Sequence, residues 1–116
     1  MHPYHQSIAH VYDAFAELYA SAGDYKESAK YLEQALKILK RVYGEESVEV
    51  GNEVAKLAQL YFNDQQILEA MNCVERAKLI LQKHCGKDDV MLFELEEMRK
   101  VLLQAFEQTV GPYWST

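Results

Sequence analysis

The sequence predicts an all-α fold, a stack of two helical hairpins closed by a single C-terminal helix. Three observations carry that prediction. A shift of 42 residues lays Tyr19 on Tyr61, Leu32 on Val74, Ala35 on Ala77, Ile38 on Ile80 and Gly44 on Gly86, and repeats of this length mark stacked helical units. Apolar residues recur at three- and four-residue spacings, the period of an amphipathic helix. Both prolines, Pro3 and Pro112, lie near the ends of the 116 residues, so no strong helix breaker interrupts the interior.

The first helix is expected from about Tyr4 to Ser21, with Ile8, Val11, Tyr12, Phe15, Leu18 and Tyr19 turned inward. Pro3 suits its first turn, where a missing N–H costs nothing. Gly23 can take positive φ, and Asp24 with Glu27 has the spacing of a capping box. The second helix, about Tyr25 to Tyr43, carries the buried stripe Ala29, Leu32, Ala35, Leu36 and Leu39. Lys37, Lys40 and Arg41 complement the dipole at its end, and Gly44 closes it. Ser47 caps a third helix, about Val48 to Phe62, with Val50, Val54, Leu57, Ala58 and Tyr61 inward.

Asn63-Asp64 makes a turn without glycine. The fourth helix follows from about Gln66 to His84 and buries Ala70, Cys73, Val74, Ala77 and Ile80-Leu81; Gly86 ends it. Asp88 or Asp89 caps the fifth, about Val90 to Thr109, with Leu92, Leu95, Met98, Leu102 and Phe106 inward. Gly111-Pro112 is expected to stop it, leaving 111–116 as a tail. The domain therefore spans 1–110, with units at about 4–43 and 47–84 and a closing helix at about 89–109.

Composition narrows the function. Hydrophobic residues make up 49% and charged residues 26%, an ordinary globular balance. A net charge of −6 argues against nucleic acid, which calls for a basic face. No apolar run approaches the roughly 20 residues of a membrane span, and the N-terminus has no basic or apolar leader pattern. Cys73 and Cys85 sit along one helix at ~18 Å by helical rise, beyond the ~7 Å a disulfide allows. They read as reduced thiols, hence a cytoplasmic or nuclear setting.

The residues of each hairpin resemble a tetratricopeptide repeat, whose common unit is ~34 residues. In the first unit the family's positions match Tyr12, Phe15, Ala16, Tyr19, the turn Gly23-Asp24-Tyr25, Ser28, Leu32 and Ala35. In the second they match Val54, Leu57, Ala58, Tyr61, Ala70, Val74 and Ala77, while the turn Asp64-Gln65-Gln66-Ile67 departs from the glycine form. Small residues at Ala16, Ser28, Ala35, Ala58, Ala70 and Ala77 let backbones approach while large neighbours interlock. The 42-residue period resembles the extended repeats of kinesin light chains, though the connections here carry the glycine without the following His-Pro.

A second resemblance covers residues 2–103. His2-Pro3, Gly23-Asp24-Tyr25, Ala29-Lys30-Tyr31-Leu32, Val42-Tyr43-Gly44 and the run Lys56-Leu57-Ala58-Gln59-Leu60-Tyr61-Phe62-Asn63 are similar to the C-terminal helical region of SET and MYND domain-containing lysine methyltransferases. The resemblance implies a piece of a larger protein whose zinc-binding and cofactor-binding motifs lie outside these residues. It implies a docking or wall function for this segment and no catalysis by it.

In such repeats the first helix of each unit lines the inner face. The family's ligand-facing positions fall on His10, Asp13, Glu17 and Ser21, then on Asn52, Ala55, Gln59, Phe62 and Asn63, then on Glu94, Glu97, Val101 and Gln104. The peptide-binding set expected from these is Asp13, Glu17, Asn52, Gln59, Phe62, Glu94, Glu97 and Val101. An acidic groove with apolar anchors suits a basic or amphipathic peptide. Repeats that grip the acidic C-terminus of Hsp90-type chaperones use Lys, Asn and Arg at these places. Here Asp13, Glu17, Lys56, Glu94 and Met98 replace them, so no carboxylate clamp is expected.

No catalytic, cofactor or metal site is expected. His2, His5 and His10 do not converge with a fourth ligand, and the carboxylates at helical spacing read as exposed faces. No glycine-rich phosphate loop follows a strand. Three functions fit: a docking domain of a methyltransferase-like protein, a stand-alone adaptor for peptide cargo, or a structural unit that contacts a parent domain or a second copy.

Overall fold

A computed structural model describes residues 3–86 and 89–114, with side chains over 6–86 and 89–109. Five α-helices follow in order: α1 (Pro3–Ser21), α2 (Tyr25–Tyr43), α3 (Val48–Asn63), α4 (Ile67–His84) and α5 (Val90–Trp114). Each packs chiefly on its neighbours in the chain, α1 on α2, α2 on α3, α3 on α4 and α4 on α5. The stack measures 56 × 34 × 21 Å.

Local chemistry sets the helix ends. Asp24 Oδ1 accepts the Glu27 amide at 3.3 Å, and Ser47 Oγ accepts the Val50 amide at 3.2 Å. Asp89 Oδ1 accepts the Met91 and Leu92 amides at 2.9 and 3.4 Å; Asp88 lies outside the described residues. Side-chain caps of this kind satisfy amides that a helix start leaves open.

The hairpin turns of the two units are the same turn. After α1, the amides of Ala22, Gly23 and Asp24 donate to the carbonyls of Leu18, Ala20 and Tyr19. After α3, the amides of Asp64, Gln65 and Gln66 donate to Leu60, Phe62 and Tyr61, each 42 residues on. The sequence departs from glycine there, yet Gln65 takes φ +62 where Gly23 takes φ +83. The backbone pattern wins over the local preference because the helix packing on both sides needs the same reversal. The connections between units differ: α2 ends on Gly44 at φ +96, whereas α4 ends on Cys85 in extended backbone.

The core follows the expected stripes from α2 onward. Ala35, Val50, Ala58, Ala70, Val74, Ala77 and Leu81 are fully enclosed, with Leu95 and Leu102 of α5 capping them. Ala16, Ala29, Leu32, Leu57 and Leu60 form the junction between the first hairpin and α3. Gly51 lets α3 lie close against α4: a Cβ there would lie 2.8 Å from Leu81 Cδ2 and 2.9 Å from Ile80 Cγ2.

Helix α1 corrects the sequence expectation. Val11, Phe15 and Leu18 are 52, 44 and 64% exposed, and the helix buries Ala9 and Ala16 instead. Its apolar periodicity is real, but α1 packs chiefly on α2 and touches α3 through Ala16 and Asp13, and nothing among the described residues covers Val11, Phe15 and Leu18 to the same degree. Phe15 and Tyr19 stack on Tyr31 of α2, each with ring centroids 5.4 Å apart, and Tyr12 tilts against the same ring. Helix α5 continues past the expected stop at Gly111-Pro112 to Trp114. A proline costs a helix one donor and bends or weakens it without necessarily ending it. The tail side chains lie outside those described.

Candidate functional site

The first helices of the two pairs, α1 and α3, and the closing helix α5 border two adjoining grooves. The first, about 400 Å³, is walled by Asp13, Ala16, Glu17 and Ala20 of α1, by Lys56, Gln59 and Leu60 of α3, and by Ser28 and Leu32 of α2 at its back. The second, about 420 Å³, lies between Ala55, Lys56 and Gln59 of α3 and Met91, Glu94, Leu95 and Met98 of α5. Lys56 and Gln59 belong to both, so the grooves meet on α3.

The repeat geometry explains the placement. Ala16 and Ser28 sit at the α1–α2 crossing, where Ser28 Oγ donates to the Ala16 carbonyl at 2.5 Å. Small side chains at the crossing leave room beside it, and the long residues one turn away rise as the groove walls.

Four of the eight expected peptide-binding residues come together here: Asp13 and Glu17 in the first groove, Gln59 in both and Glu94 in the second. The other four do not wall either groove. Asn52 is exposed, Phe62 is half-buried against the core of the second unit, Glu97 pairs with Lys100 at 3.0 Å, and Val101 is half exposed. Ala55 is 5% exposed and belongs to the core, so its place in the second groove is at the floor. His10 is exposed; the side chains of His2 and His5 lie outside those described.

Sequence reasoning missed Glu53. It is 2% exposed and sits between α3 and α1 beside Asp13 and Lys56. Lys56 Nζ stands 3.4 Å from Glu53 Oε1 and 3.9 Å from Asp13 Oδ2. Burial first, then the hydrogen bond and charge of Asp13, push the Glu53 carboxyl up to about 8, against the pull of Lys56. A signal was present: Glu53 follows Val50 by three residues and precedes Leu57 by four, which places it on the buried stripe.

Elsewhere the ionic contacts serve the stack. Glu96 binds Arg99 at 2.7 Å and Lys78 of α4 at 2.7 Å, and these partners hold its carboxyl down at about 2. Lys83 of α4 reaches Glu46 at 2.6 Å, and that bond holds the Glu46 carboxyl below its usual range. Cys73 and Cys85 are free thiols, and burial pushes Cys73 up to about 11. No helix among the described residues is long and apolar enough to cross a membrane.

The comparisons with known proteins agree with this architecture. A family profile described as a tetratricopeptide repeat matches residues 8–49, one full period. The chain is 36% identical over 102 residues to protein-lysine N-methyltransferase SMYD4 of Gallus gallus, covering 88% of this chain and 14% of that protein. It is 35% identical over 108 residues to the Homo sapiens protein, covering 93% and 13%, and 37% identical over 101 residues to that of Danio rerio, covering 87% and 13%. The chain thus spans 13–14% of the length of these relatives. It is an all-α helical stack of the tetratricopeptide type, and over most of its length it resembles a segment of the SMYD4 lysine methyltransferases.

Proposed function

We propose that this chain is a docking scaffold whose inner face takes a basic or amphipathic segment of a protein, beside the catalytic domain of a SMYD4-type lysine methyltransferase. The observation that carries the reading is the meeting of the two grooves on Lys56 and Gln59, with Asp13, Glu17 and Glu94 along their walls. Three carboxylates face one ammonium there, so a cationic ligand is favoured and an acidic one repelled. Met91, Met98 and Leu32 supply apolar surface for the other side of an amphipathic segment. The same charges speak against a carboxylate clamp for an acidic C-terminus. The free thiols support a cytoplasmic or nuclear setting.

The test is a titration of isotopically labelled domain with a library of basic and amphipathic peptides. Shifts centred on Asp13, Glu17, Gln59 and Glu94, lost in Asp13→Asn/Glu17→Gln, are expected. A library that leaves all four unmoved removes the reading, and micromolar binding of a free acidic C-terminal peptide removes its charge argument.

One observation favours a structural reading as well. Val11, Phe15 and Leu18 leave an apolar face open on α1, a surface suited to contact with a parent domain or a second copy. Concentration-dependent sedimentation that Leu18→Lys abolishes would identify self-association there.

A further inference from the structure

Packing does not account for the carboxyl pair Asp13–Glu53. The Glu53 side chain is 3% exposed, yet its Oε2 has no hydrogen-bond donor, and neither has the buried Oδ1 of Asp13. Lys56 reaches the opposite oxygens, Glu53 Oε1 and Asp13 Oδ2. Nor does the repeat demand an acid at this place, since the equivalent residue 42 positions earlier is Val11. A buried carboxylate without a donor is costly and calls for a proton or a cation.

The charges around the pair suggest which. Asp13 comes from α1 and Lys56 from α3 itself; Glu17 of α1 lines the same groove and Glu94 of α5 the adjoining one, and α2 brings Ser28 and Leu32, which carry no charge. With Glu53 protonated, the group of Asp13, Glu53 and Lys56 is neutral. Without that proton it carries one excess negative charge, and an arriving cation restores the balance.

We propose that the Asp13 wall of the first groove is a proton-linked subsite for a cationic side chain: a lysine ammonium or arginine guanidinium of a docked segment seats against Asp13, and Glu53, buried outside the groove lining, gives up its proton as it does. The inference rests on the reading of the groove as a peptide site. In the exchange the Glu53 O–H bond breaks and the proton passes to the buffer. The two carboxylates are then held by two cations, Lys56 and the ligand's. The raised carboxyl of Glu53 supplies the proton near neutral pH. By linkage, affinity for a cation rises by up to about tenfold per pH unit below about 8 and levels above it.

The experiment has two arms. In the free protein, carboxyl-carbon NMR should show Glu53 titrating near 8; a midpoint at the ordinary carboxyl value of 4.5 overturns the proposal. In the second arm, end-blocked tetralysine is titrated calorimetrically at pH 6, 7 and 8 in buffers of different ionisation heat. Up to one proton released per peptide and tighter binding at higher pH are expected. Glu53→Gln, whose amide can donate to Asp13 and keep the fold, should bind without proton release and without the pH dependence. Tetralysine that fails to bind, or binds without releasing protons, overturns the subsite. Amphipathic peptides that still shift Gln59 and Glu94 in that case leave the groove reading intact.

Discussion

Ser28 reaches across the first hairpin and donates its hydroxyl to the carbonyl of Ala16 at 2.5 Å, with its own side chain wholly enclosed. The bond joins α2 to α1 at the point where both helices carry small residues. It therefore fixes the crossing that sets the back wall of the first groove. Ser28→Ala removes the donor without leaving a large void, and should lower stability by about 1 kcal/mol. Ser28→Leu should cost more, about 1–3 kcal/mol, by forcing the helices apart. Urea unfolding of the variants measures both, and a Ser28→Leu protein as stable as the parent would remove the crossing argument.

Gln65 holds the left-handed conformation, φ +62, that Gly23 holds in the first unit. A residue with a Cβ is strained there, by about 1–2 kcal/mol, and glycine is not, although glycine also frees the unfolded chain. Gln65→Gly should raise stability by about 0.5–1 kcal/mol. Gly23→Ala should do the reverse, although nothing within 4 Å obstructs its Cβ. A paired thermal-melt measurement of the two variants checks the signs.

Glu53 should give the protein an unusual stability profile. Its carboxyl moves from 4.5 when unfolded to about 8 when folded, so the folded state holds the proton more tightly. The associated stability is fully present below 4.5 and is lost as pH rises through about 8. The slope in that window is at most about 1.4 kcal/mol per pH unit. Glu46 and Glu96 act with the opposite sign and in another window: their carboxyls are lowered, so their stabilisation is present above 4.5 and fades as pH falls, for Glu96 through about 2. Unfolding measured from pH 4 to 9 should therefore show stability declining between about 5 and 8. In Glu53→Gln that decline should vanish; its persistence would mean another group carries the proton.

Much of this arrangement is legible in the residues. The three- and four-residue periodicity marks all the helices, and Asp24 and Ser47 announce two of their starts through side-chain oxygens that only a helix end needs. The family register places Asp13, Glu17, Gln59 and Glu94 on groove walls because those positions follow from the helix period. Asn52, Phe62, Glu97 and Val101 lie off the walls of these two grooves, and a period known to a residue does not resolve which flank of a helix borders a groove. Periodicity also says which face of a helix is apolar, not whether a neighbour covers it, which is why Val11, Phe15 and Leu18 read as core. Glu53 was obscured for the converse reason. It lies on a buried stripe, but its charge class points to the surface unless Asp13 and Lys56 are known to meet it.

The repeat itself supplies the sharpest stability test. Leu18 of α1 and Leu60 of α3 occupy equivalent places 42 residues apart, yet Leu18 is 64% exposed and Leu60 is 7% exposed. The first hairpin covers Leu60 through Ala16, Ala29 and Leu32, and among the described residues nothing covers Leu18 in the same way. Truncating a buried leucine costs about 2–5 kcal/mol, through lost transfer energy and the cavity left behind. An exposed site away from such packing changes stability by no more than about 0.5 kcal/mol. Leu60→Ala should therefore destabilise strongly and Leu18→Ala hardly at all, measured side by side in urea on the isolated chain. Equal losses would mean that α1 packs against something in solution, and light scattering on the same samples would show whether that is a second copy.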